Sequence, residues 1–192
     1  NAPIETIEYI NPTDYAAQMD YEHGWNATTK HHLPCPALHI IFEQVCEKTP
    51  QAIAVADELS VLNYQTLNEQ ANQLAHYLRK NGVGANTPVA VFLDRSIAMS
   101  VALLAILKAG GAYLPLTTNL PVERIAHIVT ETKAQWIICS SKQVPLTPSS
   151  QPLLFIDQPL WQDQPKNNPA CINEPNHIFN IIYILTIITI KI

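Results

Sequence analysis

Apolar spacing divides this chain into alternating helical and strand-like segments. Leu38, Ile41, Phe42 and Val45 fall at i, i+3, i+4 and i+7, which predicts one apolar stripe on a helix. That helix should end near Thr49-Pro50, because a residue before proline avoids the helical region. Ile53-Ala54-Val55-Ala56 and Val61-Leu62 are short strand candidates, with Asp57-Glu58 as the turn of a hairpin between them. A second helix should start at Asn63, whose side-chain oxygen can accept an orphan backbone N–H. Leu67, Ala71, Leu74 and Leu78 line its inner face, and Asn81-Gly82 supplies a left-handed stop.

The pattern then changes character. Pro88 precedes a continuous apolar run, Val89-Ala90-Val91-Phe92-Leu93, of the kind found in strands buried on both faces. Ser96 is placed to cap a helix from Ile97 to Ala109 that is apolar nearly all round and should be buried on most sides. Gly110-Gly111 breaks it, and Ala112-Tyr113-Leu114-Pro115-Leu116 enters a buried strand at once. Pro121 suits the first position of a further helix reaching about Thr132, with Ile125, Ile128 and Val129 inward. Trp136-Ile137-Ile138-Cys139 and Leu153-Leu154-Phe155-Ile156 complete the strands. Residues 142–152 and 157–176 are expected to be loops rich in proline and polar residues. Strands alternating with helices of about a dozen residues predict an α/β fold with a mostly parallel sheet flanked by helices.

Residues 1–36 carry Pro3, Pro12, Pro34 and Pro36 without sustained periodicity, and are expected to form a linker or extended arm. Trp25 stands out there as a side chain suited to packing on a neighbouring domain. The chain begins with Asn1, and no signal-peptide pattern follows, so it looks like a piece of something longer.

Composition narrows the function classes. Net charge is −5, and the 11 lysines and arginines form no run, which argues against a nucleic-acid or anionic-membrane surface. Residues 178–192 are isoleucine-rich but shorter than the ~20 residues a membrane span needs. Cys35, Cys46, Cys139 and Cys171 make no C-x-x-C pair, and are expected to be plain thiols in a reducing compartment. His31-His32 lacks a surrounding ligand set, so no metal site is assigned. No G-x-G-x-x-G, no G-x-x-x-x-G-K-[ST] and no Ser-His-Asp constellation occurs.

The string Leu107-Lys108-Ala109-Gly110-Gly111-Ala112-Tyr113-Leu114-Pro115-Leu116 resembles the second core motif of amino-acid adenylation domains in nonribosomal peptide synthetases. These domains are adenylate-forming enzymes, alongside acyl-CoA synthetases and luciferases. Leu62-Asn63-Tyr64-Gln65-Thr66-Leu67 resembles their first core motif, L-[TS]-Y-x-E-L, with asparagine in the capping place and Thr66 where a glutamate would close a capping box. Trp25-Asn26-Ala27-Thr28 is similar to the connector between condensation and adenylation domains. After Leu116 the family continues Asp-Pro and Tyr-Pro, whereas this chain has Thr117-Thr118 and Leu120-Pro121. The physical chemistry inside the second motif is structural. The glycines permit positive φ and close backbone approach, and Lys108 suits the negative end of a helix dipole. Glu123 and Arg124 are simple first-turn charges of a surface helix.

The resemblance implies a parent that uses ATP and Mg²⁺ to form an aminoacyl adenylate, then loads a carrier-protein thiol on phosphopantetheine. Its implied partners are a condensation domain and a peptidyl carrier protein, and its implied location is the cytoplasm. In that family a strand ending in tyrosine leads into T-S-G-[ST]-T-G-x-P-K-G, whose backbone amides wrap the phosphates. Ile178-Phe179-Asn180-Ile181-Ile182-Tyr183 resembles that strand, but Ile184-Leu185-Thr186-Ile187-Ile188-Thr189-Ile190-Lys191-Ile192 follows it, and no glycine occurs after Gly111. The expected organisation is therefore a connector at 1–36, a partial adenylation domain at 37–183 and a divergent tail at 184–192. The expected state is a pseudogene-like fragment truncated before its phosphate loop, by a shifted reading frame or a damaged gene, and inactive alone. No catalytic, cofactor-binding or metal residue is assigned within it. The alternative is a non-catalytic docking module, or one half of a split synthetase. Self-association through an exposed strand edge is a further expectation.

Overall fold

The structure is a computed structural model that describes residues 12–19, 37–58, 60–146, 151–174 and 176–183. Trp25, the His31-His32 pair, Cys35 and the tail 184–192 lie outside the described residues. The chain divides into two compact units, Asn1–Cys35 and Pro36–Ile192.

In the first unit, Pro12–Met19 forms a helix, α1. The sequence reading expected an extended arm here. Pro12 occupies the first helical position, where its missing N–H costs nothing, and Asp14 sits in the first turn, where a carboxylate favours the helix dipole.

The second unit opens with α2, Leu38–Lys48. A hairpin follows, in which β1 (Ile53–Ala56) pairs antiparallel with β2 (Val61–Asn63). Then come α3 (Tyr64–Lys80), β3 (Pro88–Phe92), α4 (Ile97–Ala109), β4 (Ala112–Leu116), α5 (Val122–Glu131), β5 (Trp136–Cys139) and β6 (Leu153–Phe155). Strands β4-β3-β5-β6 form one parallel sheet in that order.

Alternation along the strands builds two cores. Val89, Val91, Tyr113 and Ile138 face α3 and α4, while Ala90, Phe92, Leu114, Leu116, Ile137 and Cys139 face α5. The sheet is thus wound on both faces, and the chain reverses direction between β3 and β5. In such sheets ligands bind outside the carboxyl ends of the strands at that reversal.

The helix ends follow from local chemistry. Asn63 Oδ1 accepts from the Thr66 N–H at 2.8 Å, and Ser96 Oγ accepts from the Met99 N–H at 3.3 Å. Helix α3 ends on Gly82 at φ 91°, with the Val83 N–H reaching the Leu78 carbonyl. Helix α4 ends in the same way on Gly110, also at φ 91°, with the Gly111 N–H reaching the Ile106 carbonyl at 2.9 Å. A side chain on Gly111 would meet the Thr87 carbonyl oxygen, Ile106 and Val83, each at 3.1 Å, so backbone presses on backbone here.

Four expectations need correction. The stripe on α2 is not the buried face, since Leu38 and Ile41 are 58% and 38% exposed while His39 and Cys46 are buried. Of the stripe, Phe42 packs on the core, between the buried His39 and Cys46. Ser141–Leu146, expected as loop, is a 3-10 helix whose first amide is capped by Asp157. Residues 157–174 hold a 3-10 turn, Pro159–Trp161, and are fastened along α3. Segment 178–183 makes one parallel bridge, Tyr113 to Asn180, at the free edge of β4, and is not a full strand.

Candidate functional site

A helix between parallel strands runs back along them. The last turn of α4, with Lys108 and the glycines, therefore lies at the amino end of the sheet, away from where ligands bind. Lys108 is 1% exposed. Its Nζ donates to Glu43 of α2 and, at 3.4 Å, to Asn168 Oδ1. Burial lowers the Lys108 pKa, and the Glu43 hydrogen bond works the other way. Arg79 Nη2 donates to the Lys108 carbonyl, placing a second cation at the helix's negative end. His39 is held down to about 4 by burial, with the cations of Lys108 and Arg79 adding to the effect. Its Nε2 lies 3.6 Å from Cys171 Sγ.

Asn168 ties this knot to α3. Its Oδ1 accepts from Asn68 and Asn72, both at 2.9 Å, and Asn72 also donates to the Lys166 carbonyl at 2.7 Å. Gln73 donates to the carbonyls of Gln162 and Gln164. The buried amides of α3 thus hook the 157–174 segment through its backbone. Sequence reasoning missed Glu43, His39, Asn72, Gln73 and Asn168. The available signal was Asn68, Asn72 and Gln73 lying beside the apolar face of α3, where an amide is stable only when bonded.

The carboxyl end is built differently. The N-terminus of α4 is an obvious place for an anion, but it is occupied. Asp57 Oδ2 accepts from the Ile97 N–H at 3.2 Å, and Ser96 covers Met99. Beyond β3 and β4, Thr118 Oγ1 donates to Asp94 Oδ1 at 2.6 Å. Beyond β5, the Ser140 N–H and hydroxyl donate to Gln143 Oε1 at 3.0 Å. The Ser141 N–H and hydroxyl donate to Asp157, which holds that carboxyl below its ordinary pKa. The first turn of α5 carries Glu123. These groups present carboxylates and satisfied donors, not a cradle of free amides.

One element still arrives at this end. The Tyr113 N–H donates to the Phe179 carbonyl and the Ile181 N–H to the Tyr113 carbonyl, both at 2.9 Å, so segment 178–183 runs parallel to β4. Ile181 and Tyr183 pack on the α5 core. The Arg124 guanidinium lies 5.7 Å from the Tyr183 ring centre, and His127 meets that ring edge-on at 6.1 Å. Arg124, expected as a plain surface charge, is a ring partner. Among the described residues no group of three or more His, Cys, Asp or Glu could hold a metal ion, and no helix is long and apolar enough to cross a membrane.

Comparison with known proteins places this geometry. A family model described as AMP-binding enzyme matches residues 42–183. Gramicidin S synthase 2 of Aneurinibacillus migulanus is 37% identical over 183 residues, 95% of this chain. Chondramide synthase cmdD of Chondromyces crocatus is 42% identical over 168 residues, 83% of this chain. The chain spans only 4% of the length of either synthase. Among solved structures, the nonribosomal peptide synthetase FmoA3 superposes with a TM-score of 0.80 at 25% identity, covering 91% of this chain and 18% of that one. The N-terminal subdomain of Klebsiella oxytoca NpsA shares the fold, with a TM-score of 0.62 at 24% identity, covering 72% of this chain and 35% of that one. The chain belongs to the AMP-binding enzyme family, and within it to the adenylation domains of nonribosomal peptide synthetases.

Proposed function

We propose that residues 37–183 supply the N-terminal scaffold of an amino-acid adenylation domain, and that this 192-residue polypeptide does not catalyse adenylation by itself. The observation that carries the reading is the parallel bridge of Asn180 to Tyr113, which delivers Tyr183 to the carboxyl end of the sheet. In the reaction of the complete enzyme, ATP and Mg²⁺ would activate an amino acid, and a carrier-protein phosphopantetheine thiol would receive it. The residues present do not fit the triphosphate. No glycine follows Gly111, and Ile184, Ile187, Ile188 and Ile190 are β-branched, which disfavours the turns a phosphate cradle needs. Asp57 and Ser96 already occupy the α4 N-terminus. No chemical step is therefore assigned to this chain's residues.

In the same reading, residues 1–36 are the connector to a condensation domain, and residues 184–192 are a divergent tail. The carrier protein and condensation domain are the partners, in the cytoplasm.

The test is amino-acid-dependent ATP–pyrophosphate exchange. The 192-residue chain is expected to show none above background. Replacing residues 184–192 by the glycine-rich loop and remaining adenylation domain of gramicidin S synthase 2 is expected to give exchange. Exchange by the 192-residue chain would refute its inactivity. A folded but silent graft would count against the scaffold reading.

A further inference from the structure

We propose that Arg124 and His127 of α5 are positioning residues for the chain as it leaves the sheet at Tyr183. Two backbone hydrogen bonds, both to Tyr113, form the one bridge that joins segment 178–183 to β4, and the Ile178 N–H donates to Asn86 Oδ1 at 2.7 Å. Ile178, Phe179 and Ile182 are 49%, 64% and 70% exposed and contribute little burial, whereas Ile181 and Tyr183 pack against the α5 core.

The ring is gripped from α5. Arg124 stands over the ring and His127 meets it edge-on, three residues further along the same helix face. Among the described residues Arg124 forms no ion pair, so its charge is not committed to a carboxylate. A cation within about 6 Å of a ring centroid is attracted by the ring's electrons. The hydrogen-bonded edge of the segment fixes its register against β4. The Tyr183 clamp fixes where its end points relative to α5, whose first turn lies at the carboxyl end of the sheet. Movement of α5 and of segment 178–183 are thereby coupled.

This rests on the scaffold reading only for its consequence in catalysis. The physical claim is tested on the chain itself, by amide hydrogen exchange. Arg124→Ala is expected to speed exchange at the Ile181 amide about two- to fivefold, the range a surface cation–ring contact supports. Tyr183→Leu should do the same, and the double variant should add little further, because both remove one contact. Arg124→Lys should restore most of the protection. Amides of Val91 and Ile138, inside the sheet, should not change. An unchanged Ile181 amide in both single variants would overturn the proposal, as would equal acceleration at Val91 and Ile138, which would mean general loosening. In the graft described above, Arg124→Ala should raise the KM for ATP about two- to fivefold while leaving the KM for the amino acid unchanged. An equal rise in both KM values would contradict a positioning role. A graft with no exchange at all would sink the scaffold reading, while the exchange result on the chain would stand on its own.

Discussion

The two ends of the sheet differ in how their polar groups are used. At the amino end, Lys108, Glu43, Asn168, Arg79 and His39 interlock four segments of chain in a nearly dry setting. At the carboxyl end, Asp94–Thr118 and Ser141–Asp157 form exposed bonds, Asp57 reaches the Ile97 N–H from beyond β1, and Tyr183 meets Arg124. The amino end is an interlocked cluster in which Lys108 and the glycines of the K-A-G-G string all make close contacts. In such a sheet a ligand would sit at the carboxyl end, so the buried lock and the ligand-binding end lie at opposite ends of the strands.

The sharpest way to break that contrast is Glu43→Ala. It leaves the Lys108 charge buried without its partner, and should cost about 3–5 kcal/mol in urea unfolding. Adding Lys108→Met should recover most of the loss, because removing both charges avoids the desolvation penalty. A loss under about 1 kcal/mol would mean that the pair behaves like a surface bridge.

Acid should act at the same end. His39 is neutral in the fold and titrates at about 4 instead of 6.5, so the unfolded chain binds more protons between those values. The stability it contributes is fully present above pH 6.5 and is lost as pH falls towards 4, up to about 3 kcal/mol. His39→Gln should flatten that part of the stability–pH curve. An unchanged slope would place the acid sensitivity elsewhere.

Gly110→Ala forces a side chain into φ 91° and towards Ile172, and should cost about 1–3 kcal/mol by thermal or urea unfolding. Thr118→Val at the carboxyl end removes an exposed bond to Asp94, and should shift stability by no more than about 0.5 kcal/mol. Equal effects from these two substitutions would erase the distinction between the ends.

What the sequence made legible follows the same division. Asn63, Ser96, Gly82 and Gly110 could be read as caps and stops because each acts within a few residues of itself. The parallel sheet flanked by helices followed from strands buried on both faces alternating with helices. Helix α2 was misread because its buried face is chosen by Lys108, 65 residues away, and not by its own leucine and isoleucine spacing. The hold of residues 157–174 on α3 was invisible for a related reason. Asn72 and Gln73 bond to the backbone carbonyls of Lys166, Gln162 and Gln164, which any sequence provides, and Asn72 also to Asn168 Oδ1, 96 residues away. The grip of Arg124 on Tyr183 likewise joins positions 59 apart on elements with no shared pattern.

Calorimetric titration of the 192-residue chain with MgATP tests the central claim most directly. The account predicts no saturable heat at any concentration where the folded chain stays soluble. A single-site isotherm, abolished by unfolding, would show that the carboxyl end grips a triphosphate without glycine, and would contradict the account.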